Sequence, residues 1–300
     1  QINVSLLFNF FMIDKSNIFY QDLLKKFQFS PTKKQSKLLL YLSAFSLQEE
    51  KNAIFLLKGY AGTGKTTSIS AFVNSLWKIG KKAVLLAPTG RAAKVISAYS
   101  KRPAFTIHKR IYFPKKLTNG SVDFVLQDNK FRDTIFIVDE ASMIPDGRQS
   151  QQLFDARSLL DDLIRYVDSG KNCKLIFVGD TAQLPPVRLD VSPALDTSSL
   201  ERMFQKKITE IELDEVMRQH KNSGILSNAT ALRFSIQNNN TDFKFDLEFP
   251  DIIRLEDGYE IEDALVSAYD NIGLEDTAFI VRSNKRANLY NQQIRMKIRG

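Results

Sequence analysis

Four short apolar runs punctuate the first two-thirds of the chain: AIFLL (53–57), AVLLA (83–87), TIFIV (134–138) and KLIFV (174–178), each closed by a polar or glycine turn. Strands covered on both faces need uninterrupted apolar runs rather than alternation, and helical spacers between them favour parallel pairing. The pattern therefore predicts an α/β fold, a doubly wound parallel sheet with its active site at the carboxyl ends of the strands. Upstream, Ile18, Leu23, Leu24 and Phe27 mark a helix over 16–27, and Pro31-Thr32 opens a second through about Ser46. Between Ile111 and Leu126, IYF and VDFVL flank Thr118-Asn119-Gly120 and read as a small β-hairpin insertion. From Ile208 a new series begins: ITEIEL, a helix near 224–237, DIIRL, a helix near 259–271, then AFIVRS. The expected division is a disordered or non-native leader (1–15), a first domain (16–206, hairpin 111–126) and an incomplete second domain (207–300). The apolar opening QINVSLLFNFFMI is too short to span a bilayer, lacks a signal-peptide pattern, and holds the first methionine at Met12.

Chemistry enters directly after these strands. GYAGTGKTT (59–67) follows the first apolar run and precedes a helical segment, completing the G-x-x-x-x-G-K-T spacing of a phosphate loop. Gly59, Gly62 and Gly64 let the backbone curl around one anion, with Ala61 and Thr63 between them, and the following helix adds its positive end. Lys65 reaches the β- and γ-phosphates, Thr66 offers a hydroxyl to Mg²⁺, and Thr67 completes the nucleotide-binding run. After TIFIV stand Asp139, suited to the metal's water shell, and Glu140, suited to orienting an attacking water. After KLIFV, Gln183 in GDTAQLPPV is suited to sensing the γ-phosphate. Arg218 in LDEVMRQ supplies a guanidinium for developing phosphoryl charge. Gln35 has two readings: Thr32 and Gln35 have capping-box spacing, and the amide also suits an adenine edge. The cofactors implied are ATP and Mg²⁺.

The net charge of +8 is unevenly distributed: Lys51 to Val122 holds 14 Lys or Arg and no Asp or Glu, whereas 242–276 holds twelve acids against Lys244 and Arg254. A long imbalance around a nucleotide site favours a polyanion partner. Pro88, Thr89, Gly90, Arg91 and Lys94 place a hydroxyl, backbone N–H groups and two cations at a helix start, and Thr106 and His108 extend that groove. One cysteine, Cys173, excludes an internal disulfide and suits a reducing, cytoplasmic setting; with two histidines it leaves little for a zinc site.

Taken together, GYAGTGKTT, APTGRAA, TIHK, IVDEASM, VGDTAQLPPV and LDEVMRQ, in this order, resemble the ATPase core of superfamily 1 helicases, and the pairing of TIHK with DTAQLPPV resembles the RecD and Dda branch. The resemblance implies two RecA-like domains with ATP between them, single-stranded DNA across their top, 5′-to-3′ translocation, action at duplex junctions and, for some members, exonuclease subunits as partners; no membrane association is implied. By motif position it gives Lys65 and Thr66 to phosphate and Mg²⁺, Asp139 to Mg²⁺, Glu140 to the base role, Gln183 to γ-phosphate sensing and Arg218 to the arginine finger.

Overall fold

The computed structural model describes residues 4–27, 29–116, 122–145, 158–186, 189, 191–215, 223–274 and 276–298. Two compact units divide near His220. In the first, six strands form one sheet in the order β3-β2-β6-β7-β1-β8, every neighbouring pair parallel. They are β1 (Ala53–Gly59), β2 (Lys82–Ala87), β3 (Ala104–Thr106), β6 (Thr134–Val138), β7 (Lys174–Gly179) and β8 (Lys207–Leu213). The fold is the expected RecA-like α/β sheet, and the four apolar runs are β1, β2, β6 and β7.

Alternation along each strand divides the core between two faces. Phe55, Leu57, Leu85, Ile137, Ile176 and Val178 pack with α1 (Val4–Lys26), α2 (Lys33–Leu47), α3 (Lys65–Val73) and α4 (Gly90–Ser100). Ile54, Leu56, Leu86, Phe136, Val138 and Phe177 pack with α5 (Ile107–Ile111), α6 (Leu159–Ser169) and α7 (Thr197–Phe204). Every residue of β6 is buried, which is why its sequence shows no polar alternation. At the start of β7 the buried Lys174 donates from Nζ to the carbonyl of Phe45 (2.6 Å) and to that of Gln48, closing the end of α2. Burial pulls this ammonium down to about 8.

The hairpin is present as β4 (Tyr112–Lys116) and β5 (Val122–Leu126), antiparallel, with Phe113 opposite Val125 and Pro114 opposite Phe124. Its expected turn, Thr118-Asn119-Gly120, lies outside the described residues. Its root is fixed to α6. The Tyr112 hydroxyl donates to the buried Asp162 Oδ2 (2.8 Å), and Gln127 Nε2 donates to the Tyr112 carbonyl (2.6 Å).

The structure corrects three expectations. The leader is helical from Val4, because the helix read over 16–27 continues upstream as α1. ITEIEL does not open a second domain: as β8 it pairs with β1 along its whole length, from Ala53 opposite Lys207 to Gly59 opposite Leu213. Its polar positions reflect an edge strand with one open side, not a change of domain. DIIRL and AFIVRS form no strand among the described residues, since a strand needs a neighbour for its backbone groups and these segments have none. The second unit therefore consists of α8 (Gly224–Gln237), α9 (Gly258–Asn271) and α10 (Asn284–Ile298) with irregular connections.

Candidate functional site

The phosphate loop joins β1 to α3. Gly62 and Gly64 take φ of 77° and 88°, the left-handed region that only glycine enters without strain. Gly59 is required by proximity: a Cβ there would meet the Leu213 carbonyl oxygen of β8 at 2.7 Å. The loop is braced from inside. Thr63, almost fully buried, donates from Oγ1 to the Tyr60 carbonyl (2.7 Å), and the Tyr60 N–H donates to the Leu213 carbonyl (3.3 Å). Lys65 folds back over the loop, its ammonium donating to the carbonyls of Gly59 (2.6 Å) and Tyr60 (3.0 Å). The single flexible cation of the loop is thus already held above the curled backbone.

Gln35 carries the capping box: its backbone N–H donates to Thr32 Oγ1 (3.2 Å) and its Oε1 accepts from the Thr32 N–H (3.0 Å). Its Nε2 also donates to the Thr63 carbonyl (3.0 Å), so α2 is bonded to the phosphate loop through this one amide. The sequence offered a structural and an adenine-reading role; the structure adds a third, support of the loop. A Cβ on Gly64 would meet Gln35 Nε2 at 2.4 Å, so the two residues are in close contact.

Asp139 and Glu140 follow β6 directly. Burial, reinforced by the neighbouring Glu140, pushes the Asp139 carboxyl up to about 6, while Lys65 pulls it the other way. Glu140 sits in the left-handed region at φ 55°, at the head of a short 3-10 turn (Ala141–Met143); a non-glycine residue held there is strained, and such strain collects at functional positions. Ser142 in that turn donates to Gln183 Oε1 (3.4 Å), joining the segments after β6 and β7. Ser142 was not singled out by sequence; only its place in the motif IVDEASM pointed to it. Gln183 is itself exposed, at the end of a turn in which buried Asp180 Oδ1 accepts from the Ala182 N–H (2.9 Å). Arg218 lies outside the described residues.

The donor set fits a nucleotide and Mg²⁺. A curled loop of N–H groups, a lysine, the Thr66 hydroxyl at the start of α3 and an acid beside that lysine are the groups that triphosphate and a hard, oxygen-preferring cation require. Among the described residues no cluster of three His, Cys, Asp or Glu forms a metal site of its own, so the cation would rely on Thr66, Asp139 and phosphate oxygens.

The candidate nucleic-acid groove lies at the same edge of the sheet. Ala87 of β2 is paired with Thr106 of β3, so Pro88–Lys94 and Thr106–Arg110 leave the sheet side by side. Both threonines are helix caps: Thr89 Oγ1 accepts from the Ala92 N–H (3.2 Å) and Thr106 Oγ1 from the Lys109 N–H (3.3 Å). Arg91 and Lys94 are exposed on the first turns of α4. His108 packs beside Tyr112 (ring centroids 5.8 Å apart), and desolvation holds its imidazole below the usual range. Arg110 stacks over the Phe105 ring at 3.9 Å, bracing α5 against β3.

An AAA domain family model matches residues 44–242. The ATP-dependent RecD2 DNA helicase of Deinococcus radiodurans is 32% identical over 135 residues, 45% of this chain and 16% of that protein. The ATP-dependent DNA helicase Dda of Enterobacteria phage T4 is 29% identical over 192 residues, 63% of this chain and 39% of its own length. A RecBCD enzyme subunit RecD from Buchnera aphidicola is 32% identical over 158 residues, 46% and 24% of the two chains. The chain thus spans between 16% and 39% of the length of these curated relatives. Among solved structures, the Pif1 helicase from Bacteroides in complex with ADP-AlF3 and ssDNA aligns with 89% of this chain and 57% of its own at 17% identity and a TM-score of 0.45. The phosphate loop, the acid pair after β6 and the motif order agree with the family match: the chain belongs to the AAA domain family, beside its RecD- and Dda-like members.

Proposed function

We propose that this protein is an ATP-dependent DNA helicase or translocase that couples ATP hydrolysis to 5′-to-3′ movement along single-stranded DNA and acts at duplex junctions. The observation that carries the reading is the convergence at one sheet edge of the phosphate loop, Asp139-Glu140 and the Ser142–Gln183 contact, beside a groove with Arg91 and Lys94. In this reading Lys65 and Thr66 hold the phosphates and Mg²⁺, with Asp139 on the metal's water shell. The cation would supply charge neutralisation between the phosphates. Glu140 orients and deprotonates the attacking water, Gln183 responds to the γ-phosphate, and Arg218 supplies a guanidinium for the developing charge. Residues 207–300 contribute β8 to the first RecA-like domain and begin a second. The protein works in the cytoplasm, in DNA repair or recombination.

Two relatives are RecBCD enzyme subunits by name, which favours a second reading: a helicase subunit that works with exonuclease partners. An ATP-switched clamp that binds DNA without unwinding is the reading from another class. The deciding experiment uses the full-length protein. Glu140→Gln should leave ATP–Mg²⁺ binding nearly intact and slow DNA-stimulated hydrolysis by about 10²–10⁴, the range for a positioned base. Loss of binding instead would make Glu140 a metal ligand or a structural residue. Strand separation by the wild type distinguishes a helicase from a clamp.

A further inference from the structure

The outer face of α4 continues the basic groove downward to an aromatic patch that the reading above does not use. Arg91, Lys94, Val95, Ala98 and Tyr99 are all exposed, and at helical spacing they run down one side of α4. From Arg91 to Ser100, the last residue of α4, the rise of 1.5 Å per residue gives a path of about 13 Å, with Lys101 and Arg102 just beyond it. At its lower end Tyr99 and Trp77 are 66% and 68% exposed, unusual for large rings at a helix end. Asn74, at the end of α3, ties Trp77 to the end of α4. Its carbonyl accepts from Trp77 Nε1 (3.1 Å), its Nδ2 donates to the Ser100 carbonyl (3.1 Å), and its Oδ1 accepts from Arg102 Nε (3.1 Å). Ser70 adds a bond to the Tyr99 carbonyl (3.2 Å). The Trp77 indole and the Arg102 guanidinium are therefore held in place before any ligand arrives, and the backbone that carries Tyr99 is fixed beside them. A groove of about 460 Å³ runs along α3 from Thr66 and Thr67, at the phosphate loop, to Asn74, Tyr99, Lys101 and Lys26, so the patch borders the far end of a groove that begins at the nucleotide site. Neither Lys101 nor Arg102 has a carboxylate partner among the described residues, and the surrounding sequence from Lys51 to Val122 supplies none. Asp22 on α1 is paired with Lys78 (2.7 Å).

We propose that single-stranded nucleic acid leaving the top of the sheet is held a second time here, with bases stacked on Tyr99 and Trp77 and phosphates on Lys101 and Arg102. Cations alone would serve any acidic partner. Exposed ring faces interleaved with cations serve unpaired bases, which stack without regard to sequence. The path is continuous with Arg91 and Lys94, so the proposal rests on the nucleic-acid reading above while adding a contact that reading does not need.

Trp77 is the single tryptophan of the chain and reports on its own site. Oligo(dT) should quench its emission at low salt, with the signal reversed as salt rises. In parallel, anisotropy of a labelled oligo(dT) measures binding wherever it occurs. Lys101→Ala with Arg102→Ala should make the log–log salt slope shallower by about 1.4, at roughly 0.7 per phosphate contact. Tyr99→Ala should weaken binding about tenfold, within the range for loss of one stacked base, with the slope unchanged. Oligo(dT) bound by anisotropy without any change at Trp77, and with the wild-type slope in the double variant, would overturn the second contact and leave the top groove standing. Equal quenching by inorganic phosphate or by poly-glutamate would also overturn it, assigning the patch to small anions or an acidic protein. Absence of any oligo(dT) binding would remove both readings together.

Discussion

Ser142 and Gln183, 41 residues apart in sequence, are joined by a hydrogen bond from the serine hydroxyl to the amide oxygen (3.4 Å). The bond links the turn that follows Asp139 and Glu140, proposed to handle metal and water, to the residue proposed to register the γ-phosphate. Accepting from Ser142 leaves the Gln183 amide nitrogen as the end with donors to offer a phosphate oxygen. Gln183→Ala should therefore retain ATP binding and lower DNA-stimulated turnover by about 10–100-fold, the equivalent of one hydrogen bond to a charged group. Ser142→Ala, which only releases the amide's orientation, should cost less, about fivefold. The reverse order of severity in steady-state ATPase assays would assign the function to Ser142.

Lys65 makes two hydrogen bonds to loop carbonyls that it must exchange for phosphate oxygens. Lys65→Ala removes the one mobile cation of the loop and should abolish measurable ATP binding in equilibrium titrations at low salt. The variant should remain folded, because the loop is also braced by Thr63, Gln35 and the Tyr60–Leu213 bond. Unchanged nucleotide affinity would refute the phosphate-loop assignment.

The Asp139 carboxyl is raised to about 6 by burial and by Glu140, from an ordinary value of 3.8. A raised acid favours its protonated form in the fold. Its destabilising effect is absent below the unfolded value and fully developed above pH 6. Asp139→Asn should therefore raise the stability of the ligand-free protein at pH 7.5, by on the order of 1–3 kcal/mol, with the gain shrinking as pH falls from 6 toward 4. Mg²⁺-dependent ATP binding in the wild type should weaken below about pH 6, as the carboxylate is lost. Denaturant melts of the two proteins across this range check the first statement. A constant difference at all pH values would contradict it.

The hairpin divides its aromatics by role. Tyr112 is a root residue bonded to Asp162, whereas Phe113 and Phe124 are each 43% exposed, and the pairing register sets them on opposite faces. Replacing Phe113 and Phe124 with alanine should cost little stability, spare DNA-stimulated ATPase and impair strand separation by the full-length protein, since base stacking is worth roughly 1–3 kcal/mol per base. Tyr112→Phe leaves buried Asp162 without that donor and should destabilise the domain by about 1–3 kcal/mol. Equal loss of ATPase and unwinding in the Phe113/Phe124 variant would mean that these rings only support the fold.

Much of this was legible in sequence for a physical reason. Strands in a parallel sheet are covered on both faces, so β1, β2, β6 and β7 advertise themselves as pure apolar runs, and the phosphate loop, APTGRAA, IVDEASM and VGDTAQLPPV each sit at the end of one of them. β3, with three half-buried residues, is too short to show a period, and β8 looks foreign because one of its edges is open. DIIRL and AFIVRS show the opposite limit: strand-like composition does not make a strand where no partner is at hand. The contacts that organise the site were not legible. Gln35–Thr63 and Ser142–Gln183 join residues 28 and 41 positions apart, and a local pattern carries no information about which loops meet.

The close approach of Gly64 to Gln35 has a genetic consequence. A methyl group at position 64 meets two separate obstacles, the Gln35 amide at 2.4 Å and a backbone at φ 88°. Only the first can be relieved from a distance. Shortening Gln35 in a Gly64→Ala background removes the collision but not the strain, and it also removes the amide that supports the loop. Suppressor selections starting from Gly64→Ala should therefore return true revertants to glycine, and second-site changes at Gln35 should rescue weakly or not at all. The two positions form an allelic pair in which each residue's identity limits what the other may become, although one lies in α2 and the other in the phosphate loop and no spacing rule connects them.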